Sequence, residues 1–340
     1  MSCWRSYNTA MERRRLGNTS LEISRIGLGC WAMGGGDWLF GWGHQDDADS
    51  VATIRRAVEL GINWVDTAPV YGLGHSEAVV GSALKSLPAS ERPLVFTKCS
   101  RVWTRSGRIR HALESRSIER ELEDSLRRLG IDTIDLYQIH WPAYPADGPA
   151  PGIEEGWETL SRLKDSGKVR EIGVSNFNVE QLERIRPIAA IGSLQPAYSL
   201  VRRDIEKDVL PYCAEHGIGV IVYSPMASGL LSGKMTRERV ASFPGNDWRK
   251  TKSLEFQEPA LTRNLACADR VRAVAEPLGH STAELAIAWT LNHPAVSAAI
   301  VGARRPAQLD DVVGAVAVAA DSVALAGLDE PRVVEHRDQN

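Results

Sequence analysis

Short apolar runs alternate along this chain with longer stretches whose apolar residues recur at helical spacing. The runs over 26–30, 62–65, 94–97, 133–139, 170–174, 191–194, 219–222 and 296–301 read as buried strands. Between them lie amphipathic segments that read as helices. Over 49–60, Val51, Ile54 and Val58 share one face and Gly61 is the stop. Over 117–129, Ile118, Leu122, Leu126 and Leu129 form a stripe closed by Gly130. Further helices are expected over 76–84, 153–165, 179–185, 205–215, 283–291 and 307–318, with an extra one within 261–278. Ahead of the first strand, 13–16 and 21–26 flank the turn Gly17-Asn18-Thr19-Ser20 and predict a β-hairpin. The segment 100–110 reads as a basic loop.

Eight strand–helix units in one chain of 340 residues predict an α/β fold, a (β/α)8 TIM barrel with an N-terminal hairpin and extra helices in the late loops. The rival is an open doubly wound sheet, for which Gly27-Leu28-Gly29-Cys30-Trp31-Ala32 offers a partial dinucleotide fingerprint. A glycine-rich loop with Trp38 follows it, where that fingerprint needs a helix at once. The barrel is expected over 12–329, with a frayed 1–11 and a polar tail over 330–340.

Composition narrows the function classes. Apolar content of 43% and charged content of 24% predict a filled core and exclude disorder. The net charge is −3, and the only dense basic tract is Arg13-Arg14-Arg15, which excludes nucleic acid as a main partner. The five cysteines are scattered without a CxxC, as expected of reduced thiols in a cytoplasmic protein. No secretory h-region opens the chain, and the apolar passage 312–328 is broken by Gly314 and Asp321, so no membrane partner is expected.

Barrel enzymes carry their chemistry at the carboxyl ends of the strands. In Gly61-Ile62-Asn63-Trp64-Val65-Asp66-Thr67-Ala68-Pro69-Val70-Tyr71-Gly72, an apolar run ends abruptly in a carboxylate and then a loop tyrosine. A buried Asp66 is costly unless a base pairs with it. The next strand ends supply Lys98, His140, Ser175-Asn176, Gln195 and Tyr223. Singly, each has an ordinary reading as a helix cap, a solvated lysine or a core histidine. As one polar group per unit, they point to an active site.

The chain resembles the aldo-keto reductase family. The matching residues are Val65-Asp66-Thr67-Ala68-Pro69-Val70-Tyr71-Gly72, Phe96-Thr97-Lys98, Leu136-Tyr137-Gln138-Ile139-His140-Trp141-Pro142, Gly173-Val174-Ser175-Asn176-Phe177 and Leu194-Gln195-Pro196. To these are added Tyr223-Ser224-Pro225-Met226-Ala227-Ser228-Gly229-Leu230 and Val301-Gly302-Ala303-Arg304, in the family's order from about Arg13 to Leu328. The resemblance implies hydride transfer between NADPH (or NADH) and carbonyls or alcohols. It implies Tyr71 as general acid, Lys98 and Asp66 beside it, and His140 orienting the carbonyl. A lysine charge ~4 Å from the phenol, at an effective dielectric of 20, favours the phenolate by about 4 kcal/mol before desolvation offsets part of it. No HExxH or clustered ligand spacing occurs, so no metal is expected.

For the cofactor the resemblance implies Ser175, Asn176 and Gln195 on the carboxamide and Tyr223 stacked on the nicotinamide. The small-residue loop Ser224, Pro225, Met226, Ala227, Gly229, Leu230 to Lys234 would pass over the pyrophosphate, with Trp31 alongside. Gly302, Arg304, Arg305, Gln308 and Asp311 open the last helix, where two arginines suit a 2′-phosphate. Many relatives carry an Asn near the adenine where this chain has Val312.

Substrate residues are less legible. Trp31, Trp38, Trp103 and Trp141 are candidates to wall an apolar pocket, with ordinary loop packing as the alternative. Arg101, Arg105, Arg108 and Arg110 read as a solvated basic loop or as partners of an acidic substrate. The expected partner is a small carbonyl or sugar, for a monomer or homo-oligomer. The leading expectation is NADPH-dependent reduction of aldehydes and ketones. The alternatives are an aldose dehydrogenase running oxidatively, and a slow redox-sensing module as in the family's channel β-subunits. No extra N-terminal domain precedes the barrel beyond about ten residues, which argues against the module.

Overall fold

Parallel strands that are apolar on both faces need cover on both sides. The computed structural model describes residues 11–36, 38–143, 148, 150–319 and 325–328, and meets this need by closing the sheet. Of the tails expected over 1–11 and 330–340, all but Met11 lie outside the described residues.

Strands β1 (Arg13–Arg15) and β2 (Glu22–Ser24) form the antiparallel hairpin. The barrel strands begin with β3 (Ile26–Gly29), β4 (Trp64–Asp66) and β5 (Leu94–Cys99). A second hairpin, β6 (Arg101–Trp103) and β7 (Ile109–His111), follows. Then come β8 (Ile134–Ile139), β9 (Val169–Ser175), β10 (Ser193–Gln195), β11 (Gly219–Tyr223) and β12 (Val296–Gly302). The eight barrel strands pair in parallel in the order β3-β4-β5-β8-β9-β10-β11-β12, and β12 returns to β3. This is the closed (β/α)8 barrel, not the open sheet.

Helices α1 (Asp47–Glu59), α2 (His75–Lys85), α3 (Ser115–Leu129), α4 (Ile153–Asp165), α5 (Val179–Ile185) and α6 (Val209–Glu215) link successive barrel strands. After β11 an excursion carries α7 (Arg237–Ala241), α8 (Trp248–Thr251) and α9 (Ala260–Ala275) before α10 (Thr282–Asn292). The last unit ends in α11 (Pro306–Asp310) and α12 (Ala315–Ala319).

Two sequence expectations change here. The helix foreseen over 307–318 is two short ones, because Asp310-Asp311 place negative charge at a helix carboxyl end and Gly314 favours a turn. The basic loop over 100–110 is mostly the β6–β7 hairpin, turned where the Gly107 amide donates to the Thr104 carbonyl at 2.9 Å. Arg105, Arg108 and Arg110 are exposed on it, whereas Arg101 is buried with its guanidinium 5.4 Å from the Trp141 ring.

The barrel interior is filled from one end. Leu16, Leu21 and Ile23 of the first hairpin pack with Trp64, Phe96, Leu136, Ile221, Ala298 and Ile300. Since this hairpin runs directly into β3, it seals the amino-terminal end of the strands, and Asn63 pins it by accepting from the Ser24 amide at 2.7 Å. Gly27 makes room for the Trp64 indole, since a Cβ there would lie 2.2 Å from its ring. The opposite end stays free for chemistry.

Candidate active site

Lys98 is wholly buried on β5, and its ammonium donates to Asp66 Oδ1 at 2.6 Å and to the Thr67 carbonyl at 3.0 Å. The other Asp66 oxygen accepts from Gln195 Nε2 at 2.8 Å. Both oxygens of the carboxylate are thus engaged, which is how a buried charge is tolerated. Tyr71 reaches this pair from the loop after β4. Gly72, at φ 62°, allows the close passage there, because a Cβ would lie 2.1 Å from the Gly34 carbonyl oxygen. The Tyr71 ring centroid is 5.4 Å from Lys98 Nζ, and His140, just past β8, meets it edge-on at 5.7 Å and 79°.

The electrostatics reverse one expectation. Burial pushes the Tyr71 phenol well above the ordinary tyrosine range, and Asp66, Tyr223 and Cys30 push the same way. The Lys98 ammonium is ion-paired with Asp66 at 2.6 Å, so the carboxylate offsets its pull on the phenol. Desolvation then wins. His140 is held well below the usual imidazole range by burial, aided by Lys98 and Arg101, so it is neutral at pH 7. Its Nδ1 is buried without a hydrogen-bond partner among the described residues.

Around this centre the amides and hydroxyls foreseen for a carboxamide form one network. Asn176, at φ 62°, donates from Nδ2 to the His140 carbonyl at 3.0 Å and to Ser175 Oγ at 2.9 Å. Ser175 Oγ donates to the Gln195 carbonyl at 2.8 Å, and the Tyr223 hydroxyl donates to Asn176 Oδ1 at 2.8 Å. The Tyr223 ring is thereby fixed, and burial pushes its phenol up to about 12.

The loop from Ser224, Pro225 and Met226 turns through positive φ at Ser224 (56°), Ala227 (46°), Ser228 (55°) and Gly229 (98°), with Leu230 buried behind it. Three non-glycine residues carry that strain, and such left-handed turns build anion-holding nests. Lys234, at the end of the loop, pairs with Asp311 at 3.5 Å. Arg304 donates to Gln45 Oε1 at 2.7 Å, and the Arg304 and Arg305 amides both donate to Gln308 Oε1. Burial and repulsion from Arg249 and Arg305 lower the Arg304 pKa, with Asp247 offsetting part of this, and Gly302 and Gln308 beside it are exposed. A phosphate would relieve that repulsion, and these residues fit a nicotinamide dinucleotide. Val312 is buried in the core.

The candidate substrate residues divide. Trp31 stacks with Tyr71 at 6.0 Å and 15°, and Trp38 lies 6.0 Å from the same ring. Trp141 instead faces Arg101, and Trp103 has the Arg128 guanidinium 5.9 Å from its ring. Two further tryptophans crowd Trp31: Trp248 at 5.3 Å and 22°, and Trp42 at 5.8 Å. Sequence reasoning missed both. The available signal was a tryptophan set in the polar run Asn246-Asp247-Trp248-Arg249-Lys250, where nothing apolar nearby accounts for it.

The model of the aldo/keto reductase family matches residues 25–331. The chain belongs to this family. Aldo/keto reductases are oxidoreductases that use nicotinamide cofactors. The chain is 41% identical over 301 residues to aldo-keto reductase YhdN of Bacillus subtilis (strain 168), covering 88% of this chain and 87% of that one. It is 36% identical over 315 residues to the NADH-specific methylglyoxal reductase of Escherichia coli (strain K12), covering 90% and 93%. Among solved structures it is similar to the glycerol dehydrogenase AKR11B4 from Gluconobacter oxydans, with a TM-score of 0.79, 38% identity and coverage of 95% and 98%. No helix among the described residues is long and apolar enough to cross a membrane.

Proposed function

We propose that this chain reduces small aldehydes and ketones with NADPH, and that Tyr71 gives the proton. The observation that carries this reading is the Lys98 ammonium, wholly buried and bound to Asp66 at 2.6 Å next to the Tyr71 ring. A buried ion pair adds little net stability, so its retention beside a phenol and an imidazole argues for chemistry. Ser175, Asn176, Gln195 and Tyr223 would hold a nicotinamide, which would supply the hydride for the carbonyl carbon. Neutral His140 orients the carbonyl oxygen, and Tyr71 holds a proton at Oη until negative charge develops on that oxygen. A phenol of raised pKa can still donate, because the forming alkoxide is a much stronger base. Lys98 and its Asp66 partner hold a dipole beside the phenolate left behind. Gln195 bonds the same carboxylate and thereby keeps the pair aimed.

The sugar-oxidising alternative runs the same step in reverse, with Tyr71 taking the proton. Oxidation needs Tyr71 as phenolate, the form that burial disfavours. The preference for NADPH rests on Arg304 and Arg305 beside Arg249, with NADH the weaker donor. The test is a panel of methylglyoxal, glyceraldehyde and 4-nitrobenzaldehyde with each cofactor, and polyols and aldoses in reverse. Faster reduction than oxidation at pH 7 is expected, and a protein that binds NADPH but reduces none of the panel refutes the proposal. Arg304→Ala is expected to raise the Kd for NADPH about tenfold and that for NADH less than about twofold, the difference being the loss of one charge-assisted contact. Equal losses would remove the 2′-phosphate assignment.

A further inference from the structure

We infer that Trp248, on the excursion after β11, is a positioning residue for Tyr71 that acts through Trp31; this role rests on the carbonyl-reducing reading above. Trp31 is nearly parallel to both neighbours, with centroids 6.0 Å from Tyr71 and 5.3 Å from Trp248. Its indole N–H donates to the Phe40 carbonyl at 3.2 Å, so its edge is fixed while its planes are stacked. The acid therefore sits against a plate whose further support comes from another loop.

That support is fastened at several points. Asp247 is almost wholly buried and accepts from Arg249 Nη2 at 2.7 Å and Nε at 3.0 Å, a two-pronged bond between the residues flanking Trp248. The Arg249 guanidinium lies 4.0 Å from the Phe243 ring and 4.7 Å from the Trp42 ring. It also donates to the Ser228 carbonyl at 3.5 Å. One arginine thus ties the four-residue helix α8 to the glycine-rich loop after β3 and to the strained loop after β11. Since Ser228 belongs to the expected cofactor loop, the clasp joins cofactor and acid.

The Trp248 N–H separates a positioning role from a binding one. Trp31, Trp38, Trp64 and Trp157 each donate to a backbone carbonyl at 2.9–3.2 Å. The Trp248 Nε1 is buried with no acceptor among the described residues. A positioning role uses only the ring plane, so a flat ring without the N–H should serve as well.

The test is single-turnover reduction of methylglyoxal at saturating NADPH. Displacing a catalytic group by about 1 Å costs on the order of a hundredfold. Trp248→Ala is expected to slow the hydride step between about tenfold and a hundredfold, with the NADPH Kd within about twofold of wild type. Trp248→Phe should restore the rate to within about threefold, since a stacked ring remains. In a Tyr71→Phe background, Ala at 248 should cost less than about threefold, as expected of a residue acting through the acid. A wild-type rate in Trp248→Ala, or a loss in Trp248→Phe equal to that in Trp248→Ala, overturns the inference, the second by assigning the N–H to a ligand. A loss confined to NADPH affinity overturns it too. A wild-type protein that reduces no carbonyl refutes the functional reading, and this role with it.

Discussion

Tyr71→Phe removes one oxygen and leaves the surroundings in place. Phenylalanine keeps the stack with Trp31 at 6.0 Å and the edge contact with His140 at 5.7 Å, so the proton is the main thing lost. General acid catalysis contributes between about a hundredfold and ten-thousandfold, or roughly 3 to 5 kcal/mol of barrier. The expected kcat/KM for methylglyoxal falls by that factor, while the NADPH Kd, read by fluorescence quenching, stays within about twofold because the oxygen lies outside the expected cofactor contacts. The pH dependence adds a signed test. Tyr71 titrates above its usual range, so its acid form prevails through neutral pH and reduction should be flat from about pH 7 to 9. Oxidation needs the base form and should rise about tenfold per unit over the same window. His140, held below its usual range, should intrude only on the acid side. A Phe variant within about tenfold of wild type, or a reduction rate that declines between pH 7 and 9, would refute the acid assignment.

Further outcomes follow from groups away from the reacting atoms. Glu121 is buried on α3, and burial pushes its carboxyl up to about 8. A raised carboxylate contributes fully below its unfolded pKa, and that contribution is lost as pH climbs toward 8. Glu121→Gln should therefore gain on wild type as pH rises from 5 to 8, by on the order of 5 kcal/mol at most. A Tm difference that stays constant over that range would refute this. Gly27→Ala should cost about 3 kcal/mol through overpacking against Trp64, with part recovered by adding Trp64→Phe. Denaturant midpoints unchanged in the single variant would show that the indole can move.

The strand-end residues were legible because each is polar directly after an apolar run. In a barrel that pattern has one cause: the strand leaves the core at the face where loops gather. Asp66, Lys98 and His140 come together for that reason. The direction of the Tyr71 shift was not legible. Proximity to a lysine says nothing of whether a carboxylate already offsets its charge, and that depends on the 2.6 Å contact. Trp248 was hidden for another reason. The segment between β11 and α9 has no steady period, so its position over Trp31 is set by tertiary contacts of Arg249 rather than by any local pattern. Glu121 was masked by its company, since it falls beside Ile118 and Leu122 on the buried stripe of α3.

The first hairpin, which stoppers the cylinder with Leu16, Leu21 and Ile23, has a practical corollary. Traffic of reactants is confined to the far rim, so a purification handle or surface tether joined ahead of Arg13 would leave from the closed base. Immobilised through that base, the molecule would present its working rim to solution, whereas an attachment in the 224–256 stretch would sit in the doorway.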